Sequence, residues 1–334
     1  MSLSNHNEFH LIEHWAEILP KVTPSKVLLG IGDDAACLAD LKSPVFSCDA
    51  LIENVHFRRE WISPRQLGWK SMAVNVSDMA AMGAAPVAVT ISLALPPQTE
   101  TAWVENLYHG FADAAKQFQF SIVGGDTTKS DQIMISISII GELISSHALR
   151  RDGAKEGDAL LVTGTLGESA AGLAVLQSNQ NTHTLFEQHC IEKHFLPYPR
   201  VAEIRAALKV EKSLHSAIDI SDGIVGDAAH IATKSHLDLI IEAAQIPISD
   251  NCQKTADNLN ADSLQWALAG GEDYELLLCV DPAAADHVSE LIQSATNTPV
   301  HRVGFCRKPV STEAKVLLQR NGEIIQSPQS WRHF

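Results

Sequence analysis

Residues 63–95 read SPRQLGWKSMAVNVSDMAAMGAAPVAVTISLAL, and this stretch decides the architecture of the first half of the chain. Ser63-Pro64 is a helix start signal: serine caps the end, and proline sits in the first turn, where its missing N–H removes no hydrogen bond. The helix predicted from Pro64 to Met82 runs into Ser77-Asp78, so an acidic motif is expected on or at the end of a buried helix. Beyond it, Val87 to Leu95 alternates as a strand. Val45 to Ala50 and Ile133 to Leu143 read as further strands and Glu100 to Phe118 as a second helix, which makes this half α+β.

After Gly141 the chain turns polar, through Ser145-Ser146-His147 to Arg150-Arg151-Asp152-Gly153, and resumes with the apolar strand Ala159 to Thr163. A domain boundary at this point gives domains of residues 1–148 and 149–334. The second part offers a strand-to-helix turn at Gly164-Thr165-Leu166-Gly167, a strand entering Asp219, a helix from about Asp222 to Ser235, and strands near Glu275 to Val280 and Val300 to Phe305. The polar stretch Asn251 to Ser263 reads as a surface loop.

A chain of 334 residues with 45% hydrophobic and 19% charged content can bury two cores. Its formal charge of −15 argues against a general nucleic-acid binder, which needs clustered Lys and Arg to displace counterions. The six cysteines show no CxxC spacing and read as reduced thiols of a cytoplasmic protein. Met1 to Trp15 lacks a signal-peptide core, and no run is long enough to span a bilayer, so a soluble protein is expected.

Five short acidic motifs recur, each expected on a turn beside an apolar run: Gly32-Asp33-Asp34-Ala35, Ser47-Cys48-Asp49, Asn75-Val76-Ser77-Asp78, Gly124-Gly125-Asp126-Thr127-Thr128 and Asp219-Ile220-Ser221-Asp222-Gly223. Singly, such pairs are turn formers and helix caps. Together, flanked by small residues, they suit a protein that gathers carboxylates around hard cations such as Mg²⁺. Phosphate substrates beside so many acids would themselves require such cations.

Val27 to Ala36 also fits a strand followed by G-x-G-x-x-A, the dinucleotide fingerprint, with Asp49 or Glu53 as the ribose acid. Asp33 and Asp34 would put negative charge where a pyrophosphate should sit, and the run to Pro44 is short for a crossover helix, so a dehydrogenase is the runner-up. No G-x-x-x-x-G-K-[ST] occurs, which excludes a P-loop enzyme. Gly270-Gly271-Glu272-Asp273-Tyr274-Glu275-Leu276 is either a ligand loop or a simple turn. Arg151 is a phosphate clamp or a solvated charge, His56 a phosphate donor or a satisfied polar group, and Trp331 a stacking ring or an anchor for the tail.

Taken in order, GIGDDAA, SCDALIENVHF, NVSDMAAMGAAP, GGDTT, RDGAKEGDALLVTG, AIDISDGI and GGEDYELL resemble the thiamine-monophosphate kinases of the aminoimidazole-ribonucleotide-synthetase-like superfamily, from about Gly30 to Leu277, with an echo at Trp331. The resemblance implies an N-terminal α+β domain that forms the sheet of a homodimer and a C-terminal α/β domain packed against it, with ATP and thiamine phosphate bound between them. It implies that Asp33, Ser47, Asp49, Asp78, Asp126, Asp219 and Asp222 hold several Mg²⁺ ions, with Cys48 lending its carbonyl. Asp33, Gly125, Asp126, Arg151 and Ser221 would contact ATP; His56, Glu272 and Trp331 would contact thiamine phosphate. Cys48 stands where the family commonly has Thr, and Asp152 adds an acid beside Arg151.

The implied reaction is phosphorylation of thiamine phosphate to thiamine diphosphate, the last step in making that cofactor, by metal-assisted in-line transfer. No catalytic base is expected, because a phosphate monoester with a second pKa of about 6 is already mostly dianionic at neutral pH. Selenophosphate-forming and hydrogenase-maturation sisters are disfavoured by the absence of a Cys before Cys37 and of a C-terminal Cys; an amidine-forming cyclo-ligase stays open on the motifs alone, with Gly271-Glu272-Asp273-Tyr274-Glu275-Leu276 and Trp331 favouring the thiamine kinase. A non-catalytic metal-binding protein is the alternative of another class.

Overall fold

The computed structural model describes residues 8–20, 26–31, 35–178 and 182–328. The chain divides into two compact units, residues 1–79 with 84–143, and residues 80–83 with 144–334.

In the first unit, α1 (Glu8–Ile18) and a short antiparallel pair, β1 (Val27–Leu29) and β2 (Cys37–Leu38), precede β3 (Pro44–Ile52), α2 (Pro64–Ala81), β4 (Ala84–Leu95), α3 (Thr101–Phe118), β5 (Ser121–Lys129) and β6 (Met134–Leu143). The four long strands form one sheet in the order β3-β6-β4-β5, antiparallel except for the parallel pair β4 and β5. Helix α2 is buried nearly all round, with Leu67, Met72, Val76 and Met79 fully buried beside the polar Lys70, Ser71, Asn75 and Ser77, as expected of a helix enclosed by its unit. Trp15 of α1 stacks on Tyr108 of α3 at 5.3 Å between ring centroids, and burial pushes the Tyr108 hydroxyl up to about 12.

Cross-strand register assigns each residue of this sheet to a face. Ser47, Asp49 and Leu51 share theirs with Ile139, Ile137 and Ile135, all buried isoleucines. Phe46, Cys48 and Ala50 share the opposite face with Ile140, Ser138 and Ser136, and on β4 with Thr90 and Ser92. The β1–β2 pair packs near the Ala88 and Ile140 end of that second face. Along it Phe46 remains 69% exposed.

The second unit runs β7 (Ala159–Thr163), α4 (Glu168–Gln177), α5 (Leu185–Phe195), α6 (Val201–Ala207), β8 (Leu214–Asp219), α7 (Ile224–Ser235), β9 (Asp238–Glu242), α8 (Asp250–Leu259), α9 (Ser263–Ala269), β10 (Leu276–Val280), α10 (Ala285–Thr296), β11 (Val300–Arg307), β12 (Val316–Arg320) and β13 (Glu323–Ile325). Its seven-stranded sheet has the order β13-β12-β9-β11-β7-β10-β8, with β9 and β12 as the parallel pair. Strands β7 and β10 are buried throughout and read in the sequence as continuous apolar runs. The stretch expected as a surface loop, Asn251 to Ser263, is helix α8 and the start of α9. Ser249 caps α8 by accepting from Cys252 N–H at 3.1 Å, and Cys252, Thr255 and Ala256 form its buried stripe.

Candidate active site

Of the five acidic motifs expected on turns, Ser47-Cys48-Asp49 lies inside strand β3 and Asn75-Val76-Ser77-Asp78 inside helix α2. Gly124-Gly125-Asp126-Thr127-Thr128 continues edge strand β5 instead of turning. An edge strand tolerates glycine, and here the neighbouring strand exploits it: a Cβ on Gly125 would lie 2.1 Å from the Ile91 carbonyl oxygen. Gly125 is thus fixed by the sheet before any ligand is considered. Gly32 to Asp34 and Trp331 lie outside the described residues, so the expectations for Asp33 and Trp331 have no structural counterpart.

Where β3 meets α2, Ser47 Oγ donates to the Asp78 carboxylate and Asn75 Oδ1 accepts from the Asp49 N–H at 3.1 Å. Burial, and then the charge of Asp78, raise the Asp49 carboxyl to about 6. Two carboxylates and a hydroxyl on one half-buried face are a hard-oxygen donor set. They fit Mg²⁺, which uses one or two carboxylates together with water and substrate phosphates. Among the described residues no cluster of three or more His, Cys, Asp and Glu side chains is arranged to hold a metal unaided. Asp126 pairs in register with Ser92, whereas Asp49 lies in the row of Ile137 and Ile91, so Asp126 projects from the opposite face and is not brought to this pair. Cys48 is exposed, its Sγ 3.5 Å from Ser136 Oγ.

His56 follows β3 in a turn, where its Nδ1 accepts from the Ile52 N–H at 3.0 Å. That bond assigns the neutral ring's proton to Nε2, the nitrogen from which His56 can donate. Glu53, considered as a ribose acid, is instead buried and occupied by Arg59 Nε at 2.6 Å and the Ile133 N–H at 3.1 Å. With β1 paired antiparallel to β2 rather than leading into a crossover helix, the dinucleotide reading fails on both counts.

In the second unit the Asp219-Ile220-Ser221-Asp222 turn leaves the end of β8 and interlocks with the Gly270 to Glu275 loop. Glu272 N–H donates to Ser221 O at 2.8 Å, Tyr274 N–H to Ile220 O at 2.9 Å, and Ile220 N–H to Glu275 O at 2.8 Å. Gly271, at φ +71°, faces Ser221 so closely that a Cβ would sit 2.5 Å from its carbonyl oxygen. Ser221, Asp222 and Glu272 are therefore one structural group. Asp227, which sequence reasoning missed, organises it: its Oδ2 accepts from the Ser221 and Asp222 N–H groups, each at 3.0 Å. Burial, with the charge of Asp219 next, raises the Asp227 carboxyl well above the usual range. Its only sequence signal was an acid in the first turn of α7.

Two further acids fix the loop from behind. Asp273, half-buried and its carboxyl raised by that burial, accepts from Gly167 N–H at 2.9 Å at the start of α4. Glu275 accepts from Arg200 Nε at 2.7 Å and Thr163 Oγ1 at 2.6 Å. Arg151 is exposed, and its carbonyl accepts from Ser235 Oγ at 2.7 Å. The extra acid Asp152 is engaged by Arg150 through Nε at 2.8 Å, rather than by Arg151.

Residues 32–143 match the family of AIR synthase related protein, N-terminal domain, and residues 155–307 match AIR synthase related protein, C-terminal domain. A thiamine-monophosphate kinase of Buchnera aphidicola subsp. Schizaphis graminum is 37% identical over 335 residues, covering 98% of this chain and 99% of that protein. The crystal structure of a thiamine-monophosphate kinase from Stenotrophomonas maltophilia K279a superposes with a TM-score of 0.82 at 32% identity, covering 97% of this chain and 99% of that one. The structure of AaThiL complexed with AMPPCP and TMP gives a TM-score of 0.75 at 30% identity over 100% of this chain and 99% of that one.

Proposed function

The chain belongs to the thiamine-monophosphate kinase family of AIR synthase related proteins, and we propose that it transfers the γ-phosphoryl group of ATP directly to thiamine phosphate, giving ADP and thiamine diphosphate. The observation that carries this reading is the pair of acidic groups, Asp49 with Asp78 in one unit and Asp219 with Asp222 in the other, on a chain similar throughout to a relative solved with AMPPCP and TMP.

The obstacle to this reaction is charge, since donor and acceptor are both anions. The acceptor oxygen needs no deprotonation, its phosphate being mostly dianionic above a second pKa of about 6. Positioning and charge compensation therefore do the chemical work, in line across the γ-phosphorus. Asp49, Asp78, Asp219 and Asp222 are proposed to hold Mg²⁺, with Ser47 and the Cys48 carbonyl beside the first pair and Asp126 on the opposite sheet face. The chemistry Mg²⁺ supplies when bound is neutralisation and alignment of the phosphates. Ser221, Gly125 and Arg151 serve ATP, His56 donates from Nε2 to the phosphate of the second substrate, and Glu272 receives its ring end.

The exposed face carrying Phe46, Cys48 and Ala50 supports pairing with a second copy of the chain. Among the described residues no helix is long and apolar enough to cross a membrane. A steady-state assay with ATP, Mg²⁺ and either thiamine phosphate or free thiamine tests the activity. Turnover that requires the monophosphate supports it, and equal turnover with free thiamine contradicts it.

A further inference from the structure

The Glu272 carboxylate is held from two sides. Its backbone is fixed at φ +57° with its N–H on Ser221 O, and its Oε2 lies 3.3 Å from Nδ1 of His194. His194 comes from the last turn of α5 and is 5% exposed. The same Nδ1 lies 3.0 Å from Ser169 Oγ, in the first turn of α4. The side chains of Ser169 and Glu272 line one pocket with Thr165, Lys193 and Tyr198. Both groups face the one nitrogen, Nδ1, and the tautomer that carries its proton there presents a donor to the carboxylate and fixes which way it points.

We propose that His194 is a positioning residue for substrate recognition: it holds Glu272 so that a carboxylate oxygen accepts a hydrogen bond from the amino group of the substrate's pyrimidine ring. This rests on the function proposed above. A carboxylate is an acceptor only, and an aminopyrimidine presents a donor, so the match discriminates against rings lacking that amine. Holding Glu272 in advance spares the ordering cost that a free glutamate side chain would incur on binding. His194 touches neither ATP nor the transferred phosphoryl group in this account, so its effect is confined to one substrate.

The test is steady-state kinetics on full-length His194→Phe, which keeps a ring but loses the donor. The expected result is a KM for thiamine phosphate raised about tenfold, with kcat and the KM for ATP within about twofold of wild type. His194→Gln, whose amide can donate, recovers part of the loss. Glu272→Gln raises the same KM, and adding His194→Phe to it raises it no further, because the two residues act as one. An unchanged KM for thiamine phosphate, or equal changes for both substrates, overturns the assignment. Should His194→Phe fail to fold, Ser169→Ala provides the same readout, and an unchanged KM for thiamine phosphate there also overturns it. A wild-type protein that turns over ATP without responding to thiamine phosphate overturns the proposed function itself, and this assignment with it.

Discussion

Asp49 and Asp78 meet across the junction of β3 and α2, close enough that the charge of Asp78 adds to burial in raising the Asp49 carboxyl to about 6. Its ordinary value is 3.8, so the folded chain binds that proton more tightly than the unfolded chain does. The penalty for ionised Asp49 is absent below the ordinary value, grows as pH rises towards 6, and is complete above it. In metal-free protein Asp49→Asn should therefore increase stability at pH 7.5 by up to about 3 kcal/mol and change it little at pH 4, as read by denaturant unfolding at the two pH values. Mg²⁺ competes with the same proton, so wild-type affinity for it should fall as pH drops through 6.

Asp78→Ala removes a proposed ligand and leaves Ser47 without its acceptor. Turnover at ordinary Mg²⁺ should drop by more than the roughly 100-fold that loss of an outer-shell partner costs, with partial recovery at high Mg²⁺. Asp126→Ala should do the same from the opposite face of the sheet. A normal rate for either variant removes that residue from the metal site.

Asp227 offers a test that separates support from ligation. Asp227→Ala strands the Ser221 and Asp222 N–H groups and should cost about 2–4 kcal/mol while raising the KM for ATP. Asp227→Asn keeps an acceptor and removes the repulsion with Asp219, so it should be the milder variant at pH 7.5. Thermal unfolding of the two side by side gives the order.

Phe46, 69% exposed on the sheet face, should be covered in a homodimer. Phe46→Arg is expected to shift the protein to monomer in light scattering coupled to gel filtration. A wild type that is monomeric at micromolar concentration contradicts the pairing.

Much of this was legible in residues 63–95, where a capped start predicts a helix from Pro64 to Met82 and the structure has Pro64–Ala81. The strands were legible for the same reason: β7 and β10 are apolar runs with nothing to confuse them. Helix α8 was not, because its buried stripe is built from Cys252, Thr255 and Ala256, small side chains that look polar or neutral in sequence. Gly124 and Gly125 read as a turn, yet the approach of Ile91 makes glycine a requirement of the strand itself. The motifs named Ser221, Asp222 and Glu272 as site residues. That they form one group could not be read, because the bonds joining them connect segments about fifty residues apart. Asp227 and His194 act through such contacts, and a lone acid or histidine in a helix carries no mark of its partner.

Direct transfer to thiamine phosphate is measured with ATP labelled in its γ-phosphate. Purified protein with thiamine phosphate and Mg²⁺ should place the label in the terminal phosphate of thiamine diphosphate, one per ADP formed. Label released as inorganic phosphate, with no labelled thiamine diphosphate, would contradict it.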